Sequence, residues 1–420
     1  MTAALPRIAF ASLWARRYTA LIALVCIALS AALLLGVERL RQDARTSFLR
    51  TVAGIDLIVG ARSHPVQLML YSVFRLGDAT NNLSWQSYQE IAQRPDVAWT
   101  VPISLGDSHR GYRVVGTTED YFRHVRYGGE RGLEFAHGKP FSGIFDAVLG
   151  ADVARTLGYA VDERIVLAHG TAALNPQLHD DRPFTVTGIL APTGTPIDQG
   201  VYVSLAGIEA IHINWRSGTR VGRAPDPDSL DAQRLQPRNI TAFYVGLENR
   251  RAVFNVQRAV NDMRSEPLTA MLPGVALQQL WSLLRTGERA LTATAVCMVA
   301  VGILGLLAVL LATLDARRRE MAILRAVGAG PRHIAGLLLC EALGLAVLGT
   351  VLGYLLLQAV LLGAAGWVQA TLGLLVGPAL PSSGEWRLMG GIVAAALVAA
   401  CLPAWLAYRR SVADGVSVRT

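Results

Sequence analysis

The residues of this chain best suited to specific chemistry are packed into Asp315–His333, DARRREMAILRAVGAGPRH. Arg317, Arg318 and Arg319 lead into Glu320; Met321, Ile323, Leu324 and Val327 supply apolar positions over one or two helical turns; Arg325 lies among them and Gly328 ends the segment. A short amphipathic helix with a charged flank suits docking on a soluble partner, not bond making. Glu320 and Arg325 are the candidate contacts to such a partner, the alternative being local pairing at the surface. Arg317–Arg319 also read as topology determinants.

Catalytic and nucleotide chemistry have no comparable grouping. A phosphate-binding loop needs Gly-x-x-x-x-Gly-Lys-Ser/Thr, so that backbone amides and a lysine hold the phosphates. Lys139 is the only lysine, is followed by Pro140 and lacks that glycine frame. No Gly-x-Ser-x-Gly elbow or His-Glu-x-x-His occurs, and no acidic pattern picks out a catalytic pair. Seven of the eight histidines, His64, His109, His124, His137, His169, His179 and His212, fall within residues 37–289. His179 with Asp180 and Asp181 is the densest local group, yet the spacings match no ligand motif. The expectation is no catalytic residue and no metal site, with the histidines scattered through surface and core.

These residues are carried by a chain organised around apolar runs. Tyr18–Gly36 is 19 residues without a charge, Ala290–Leu314 is 25 and Leu388–Tyr408 is 21. Roughly 20 are needed to cross a hydrocarbon core of about 30 Å. Ala342–Gly384 runs 43 residues without a charge, room for one long helix with an apolar tail or for two. Arginine placement decides. Arg7, Arg16 and Arg17 precede the first span; Arg317–Arg319, Arg325 and Arg332 follow the second; Arg409 and Arg410 follow the last. Four spans put all three clusters on one side, as the positive-inside tendency requires, whereas five strand the last pair outside.

The resulting plan has residues 1–17 in the cytoplasm and spans at 18–36, 290–314, 334–365 and 388–408. A cytoplasmic loop covers 315–333, a short outer loop 366–387 with Trp367 and Trp386 as interfacial anchors, and a cytoplasmic C-terminus 409–420. The first span is long for a signal-peptide core and no small-x-small site precedes Glu38, so it reads as an anchor. Glu341 is the one ionisable group within a span; such a charge costs roughly 2.5–3.5 kcal/mol on insertion scales, so it should face the bundle or snorkel to the interface. Gly349 and Gly353 form a Gly-x-x-x-Gly that permits close helix approach, within one protomer or across a dimer seam.

Residues 37–289 are mixed polar and apolar, with Gly, Pro and Asp at turn positions, and are long enough for their own core. Two lobes are expected, one of about 37–135 plus 237–285 and one of about 136–236. Strand patterns at 56–60, 97–105, 111–116, 147–149, 164–168, 184–189, 201–203 and 240–246 alternate with helical patterns at 64–75, 84–94, 151–157, 205–211 and 250–264. Ser84 is the expected N-cap of the second of these helices. That alternation predicts an α+β domain outside the cytoplasm. Cys26, Cys297, Cys340 and Cys401 fall one in each span, as small hydrophobes, leaving the outer domain without disulfides. The net charge of +8 owes much to arginines at membrane edges, so no nucleic-acid partner is expected.

The run Leu314–Gly353, LDARRREMAILRAVGAGPRHIAGLLLCEALGLAVLGTVLG, resembles the signature of FtsX/MacB-type ABC-transporter permeases. The matching positions are Arg318, Arg319, Glu320, Leu324, Arg325, Ala326, Gly328, Ala329, Glu341 and Ala342. Pro403–Val416 is similar to the family's closing segment, and the order of one span, a large outer domain and three spans is also the family's. The resemblance implies an integral membrane α-helical subunit with four transmembrane helices and a MacB-like periplasmic α+β domain, set in a bacterial inner membrane with both termini cytoplasmic. It implies a dimer, with itself or with a second permease, and a separate ABC ATPase gripping Glu320–Val327 as a coupling helix. ATP and Mg would be bound by that ATPase and no cofactor by this chain. The implied activity is mechanotransmission: ATP-driven motion relayed to the outer domain for export or extraction of a substrate, with a periplasmic adaptor as a further partner. A signalling device controlling a periplasmic partner such as a cell-wall hydrolase, and a membrane sensor or scaffold without ATPase, are the alternatives.

Overall fold

The computed structural model describes residues 14, 16–51, 53–129, 131–170, 177–213, 215–216, 219–220, 235–316, 323, 328–372 and 377–416. In chain order, helix α1 (Arg17–Thr51) is followed by strand β1 (Leu57–Ala61), helices α2 (Pro65–Ser72) and α3 (Trp85–Ala92), and strands β2 (Val97–His109) and β3 (Tyr112–Thr117). Next come α4 (Asp120–His124), β4 (Phe135–Gly138), β5 (Asp146–Leu149), α5 (Ala151–Leu157), and short strands β6 (Arg164–Ile165), β7 (Ala168–His169) and β8 (Gln177–Leu178). Then follow β9 (Phe184–Leu190), β10 (Gly200–Ser204), α6 (Leu205–His212), β11 (Ala242–Leu247), α7 (Val253–Asn261) and β12 (Leu268–Met271). Three long helices close the chain, α8 (Pro273–Ala316), α9 (Pro331–Leu372) and α10 (Ser383–Val416). The chain divides into two units: Met1–Asp43, Arg285–Gly366 and Val376–Thr420 in one, Ala44–Leu284 and Trp367–Leu375 in the other.

Among the described residues, four helices are long and apolar enough to cross a membrane, α1, α8, α9 and α10. The uncharged stretch 342–384 is one helix through Leu372, and residues 377–382 lie outside any helix before α10. The helices outrun the expected spans. α1 continues past residue 36 to Thr51, and α8 begins at Pro273, well before 290. Charge marks where an apolar run stops, not where a helix stops, because Glu, Arg, Gln and Ala continue a helix readily.

Alanine lets the four helices approach closely. Ala23, Ala31, Ala295, Ala342, Ala346, Ala396 and Ala400 are buried together with Ile27, Leu306, Leu310 and Leu345. A Cβ on Gly349 would lie 2.7 Å from Ile27, and one on Gly353 would lie 2.5 Å from the Ala28 carbonyl. The Gly-x-x-x-Gly therefore seats α9 on α1 within one protomer. Ser30 sits within hydrogen-bond reach of the Cys26 and Met298 carbonyls, bridging α1 to α8 beside Gly302. Outward, Leu21, Ile22, Val25, Leu29, Val301 and Leu304 are exposed, the surface that lipid covers.

The other unit is α+β. Among the described residues, nine strands of its twelve-stranded mixed sheet run in the order β12-β1-β11-β2-β3-β10-β5-β9-β4, with β7 and β8 continuing from β2, and β6 beside β9. The pairs β3–β10 and β5–β9 are parallel. The long strand β2 pairs through Val97–Ile103 with β11 and through its later residues with β3 and β7. Both expected lobes thus share one sheet through β2, and one buried cluster (Ile58, Met69, Val101, Val148, Leu190, Tyr202) draws on both. Ser84 caps α3 by accepting the Ser87 N–H.

Candidate functional site

Of the expected docking residues, Arg318, Arg319, Glu320, Met321, Leu324, Arg325 and Val327 lie outside the described residues. Ile323 is helical and 59% exposed. Gly328 has φ +95°, a left-handed turn that glycine adopts without strain. Pro331 then opens α9, a position where a missing N–H costs nothing. Glu341, ten residues further on, is 1% exposed and so faces the bundle interior.

The helical unit also holds charges that the sequence placed just outside its spans. Arg39 of α1 donates to Glu385 at 3.1 Å and to the Ala379 carbonyl at 3.1 Å. Tyr354 and Gln358 of α9 donate to that same carbonyl at 2.6 and 2.9 Å. Glu385 and Ser382 form a capping box, each side chain accepting the other's N–H. Three helices are thereby pinned to the turn before α10. Arg41 bridges Glu38 and Glu288, joining α1 to α8. Trp386, the expected interfacial anchor, is exposed, whereas the side chain of Trp367 lies outside the described residues.

In the α+β unit the fold gathers three of the seven histidines around one carboxylate, correcting the expectation that they are scattered. Asp107, His169, His179 and His212 each offer one donor atom, all within 4.8 Å of one another. Asp107 and His169 are opposite partners in the β2–β7 pairing. A register shift between Leu105 and Ser108 falls at this point in β2, and such bulges re-aim side chains. His179 follows β8 and is held by its N–H to the Leu167 carbonyl at 2.9 Å. His212 ends α6.

Three of the four donor atoms form a tight triangle. His169 Nδ1 lies 3.1 Å from His212 Nε2 and 3.3 Å from Asp107 Oδ1, and His212 Nε2 lies 3.5 Å from that same oxygen. The three rings stand on edge to one another, with interplanar angles of 71° to 84°. His212 Nδ1 is 2.8 Å from the Ile208 carbonyl; a neutral ring donating there turns the lone pair of Nε2 toward the triangle.

Burial alone would raise the Asp107 carboxyl, yet hydrogen bonds from His169 and His212 and the nearby imidazole charge bring it down to about 2. Burial lowers His179 to about 4, leaving it neutral at ordinary pH. Burial also pulls His212 down, but its bond to Asp107 outweighs that and raises it.

The other four outer histidines serve elsewhere or lie open. His64 caps α2, His109 reaches the Val166 carbonyl and the Tyr159 hydroxyl, His124 stacks on Trp99, and His137 is exposed. No local motif marks the cluster, because its residues come from four separate elements and meet only through sheet pairing. Its one sequence signal is the acidic group next to His179.

Residues 20–262 match the MacB-like periplasmic core domain family, and residues 292–414 match the FtsX-like permease C-terminal family. Among solved structures, the chain is similar to the periplasmic region of MacB from Actinobacillus actinomycetemcomitans, with 10% identity and a TM-score of 0.33 over 56% of this chain and 97% of that one. It is also similar to the extracellular domain of the noncanonic ABC-type transporter YknZ from Gram-positive bacteria, with 12% identity and a TM-score of 0.30 over 52% and 98%. No curated protein sequence matches.

Proposed function

The chain belongs to the FtsX-like permeases with a MacB-like periplasmic core domain, and from that membership we propose that it relays ATP-driven motion of a partner ATPase into its outer domain. The family makes it the membrane subunit of an ABC transporter that works with an ABC ATPase. The finer reading is a dimer in a bacterial inner membrane with both termini in the cytoplasm. ATP and Mg stay with the ATPase, and the outer domain's movement exports or extracts a substrate from the periplasm or the outer leaflet.

The observation that carries this reading is helix α8. It starts one residue after β12 and continues for 44 residues to the start of the 315–333 loop. β12 pairs along its length with β1, the first strand after α1. Chain continuity therefore links the 315–333 loop through α8 to β12 and, by strand pairing, to β1.

The test is to replace Leu324 and Val327 with Asp in a tagged chain and purify it in mild detergent. The wild type is expected to bring down an ATPase in about equal amount, and the variant to lose it while remaining membrane-inserted. Undiminished ATPase on the variant sinks the coupling assignment. A wild type that brings none, even after crosslinking, favours a sensor or scaffold, and a captured cell-wall hydrolase favours signalling.

A further inference from the structure

We propose that Asp107, His169, His179 and His212 bind one exchangeable divalent transition-metal ion of the zinc class. The donor-atom spacing fits a small ion. In a tetrahedral zinc centre with bonds of about 2.0–2.1 Å, neighbouring donor atoms stand about 3.3–3.4 Å apart. His169 Nδ1, His212 Nε2 and Asp107 Oδ1 stand 3.1, 3.3 and 3.5 Å apart. The fourth donor, on His179, lies within 4.8 Å of these three, so a small side-chain movement completes the tetrahedron.

The donor set selects the metal. Three imidazole nitrogens and one carboxylate oxygen are too few oxygens for Ca(II) or Mg(II), and the absence of thiolate or thioether disfavours Cu(I). Zn(II), with Co(II) as its spectroscopic stand-in, fits three nitrogens and one oxygen best. The carboxylate offsets part of the ion's charge, and Asp181 and Glu209 lie close enough to act electrostatically on His179 and His212.

A hydrogen-bonded Asp–His–His relay explains the triangle alone. A four-donor ion site also accounts for the third imidazole, fully buried at His179, whose ring centroid stands 5.0 Å from that of His212.

Access argues for exchange over permanent structural metal. The His169 and His212 side chains are 45% and 26% exposed, while Asp107 is 3% exposed. An ion can therefore enter and leave from the solvent side after folding. Once bound it would tie the end of α6 to β2, β7 and the segment after β8. The outer domain then has a loaded and an empty form.

The test uses full-length permease in detergent, stripped with chelator, and Zn(II) titrated against a chromogenic chelator. Zn(II) is expected to bind at one ion per chain and to resist a large excess of Mg(II). Co(II) should give the intense visible absorption of a four-coordinate site. His169→Gln and His212→Gln, both on the exposed side, should each weaken Zn(II) binding by about 100-fold or more, with circular dichroism and gel filtration unchanged. His179→Asn should do the same, but is buried and tests folding as well. His137→Gln, exposed on β4, should bind as the wild type does. A wild type that takes up no ion, or an ion that survives both exposed-side substitutions, overturns the proposal.

Discussion

Arg39 and Glu385, 346 residues apart in sequence, meet inside the helical unit at 3.1 Å, with side chains 6% and 0% exposed. The carboxylate serves twice, because it also accepts the Ser382 N–H that starts α10. Removing one partner of a buried ion pair leaves the other charge stranded and costs about 3–5 kcal/mol. Arg39→Met and Glu385→Gln should each lower stability by about that much, while Arg39→Met with Glu385→Gln should lose clearly less than the sum. Thermal unfolding of the four proteins in detergent forms the cycle. Strictly additive losses would show that the two side chains do not depend on each other.

The glycine seam makes a second prediction. A methyl on Gly353 would enter the Ala28 carbonyl and Ala31, whereas one on Gly363, on the same helix, meets nothing within 4 Å. Overpacking typically costs about 1–3 kcal/mol. Gly353→Ala should therefore destabilise the helical unit by about that amount, and Gly363→Ala should leave the unfolding midpoint unchanged or raise it slightly. Equal effects at the two positions would remove α9-on-α1 packing as the reason for the motif.

Four spans and an α+β outer domain were legible because both rest on local signals. Arginine clusters at three span ends fix the count, and Ser84 announces α3 as its N-cap. Helix ends were not legible: Glu38, Arg39 and Arg41 read as the start of an outer domain although they lie within α1. Their partners Glu385 and Glu288 come from the fourth and second long helices, a pairing that tertiary packing alone creates. The meeting of Asp107, His169 and His212 is not legible for the same reason. Each is unremarkable among its sequence neighbours and acquires chemistry only when β2, β7 and α6 come together.

Glu266 gives a pH-dependent prediction. It accepts the N–H and hydroxyl of Ser84, tying the segment before β12 to the cap of α3. Burial would raise its carboxyl, but hydrogen bonds from Ser87 and Ser84 hold it below the ordinary glutamate value. A depressed acid stabilises the fold above its unfolded pKa of about 4.3, and that contribution is lost as pH falls toward the folded value. Glu266→Gln should lower the unfolding midpoint at pH 7 and approach the wild type by pH 3. A deficit that stays constant across that range would assign the effect to lost packing.

Arg75 yields the last prediction, because its backbone and side chain pull in opposite directions. It has φ +58°, a left-handed conformation unfavourable for a side-chain-bearing residue. Yet its guanidinium is buried, donating to the Pro196 carbonyl and to the Tyr202 and Tyr121 hydroxyls, with the Tyr202 ring 5.1 Å from its central carbon. Hydrogen bonds from a charged donor contribute about 1.5–3 kcal/mol each, against about 1–2 kcal/mol for the backbone strain. The contacts win. Arg75→Gly, which relieves the strain, should still destabilise the outer domain by at least about 2 kcal/mol. Arg75→Lys should not rescue it, since an ammonium cannot match a planar fork aimed at three acceptors. Chemical denaturation followed by tryptophan fluorescence measures both, and a glycine variant as stable as the wild type would show that these contacts contribute nothing net.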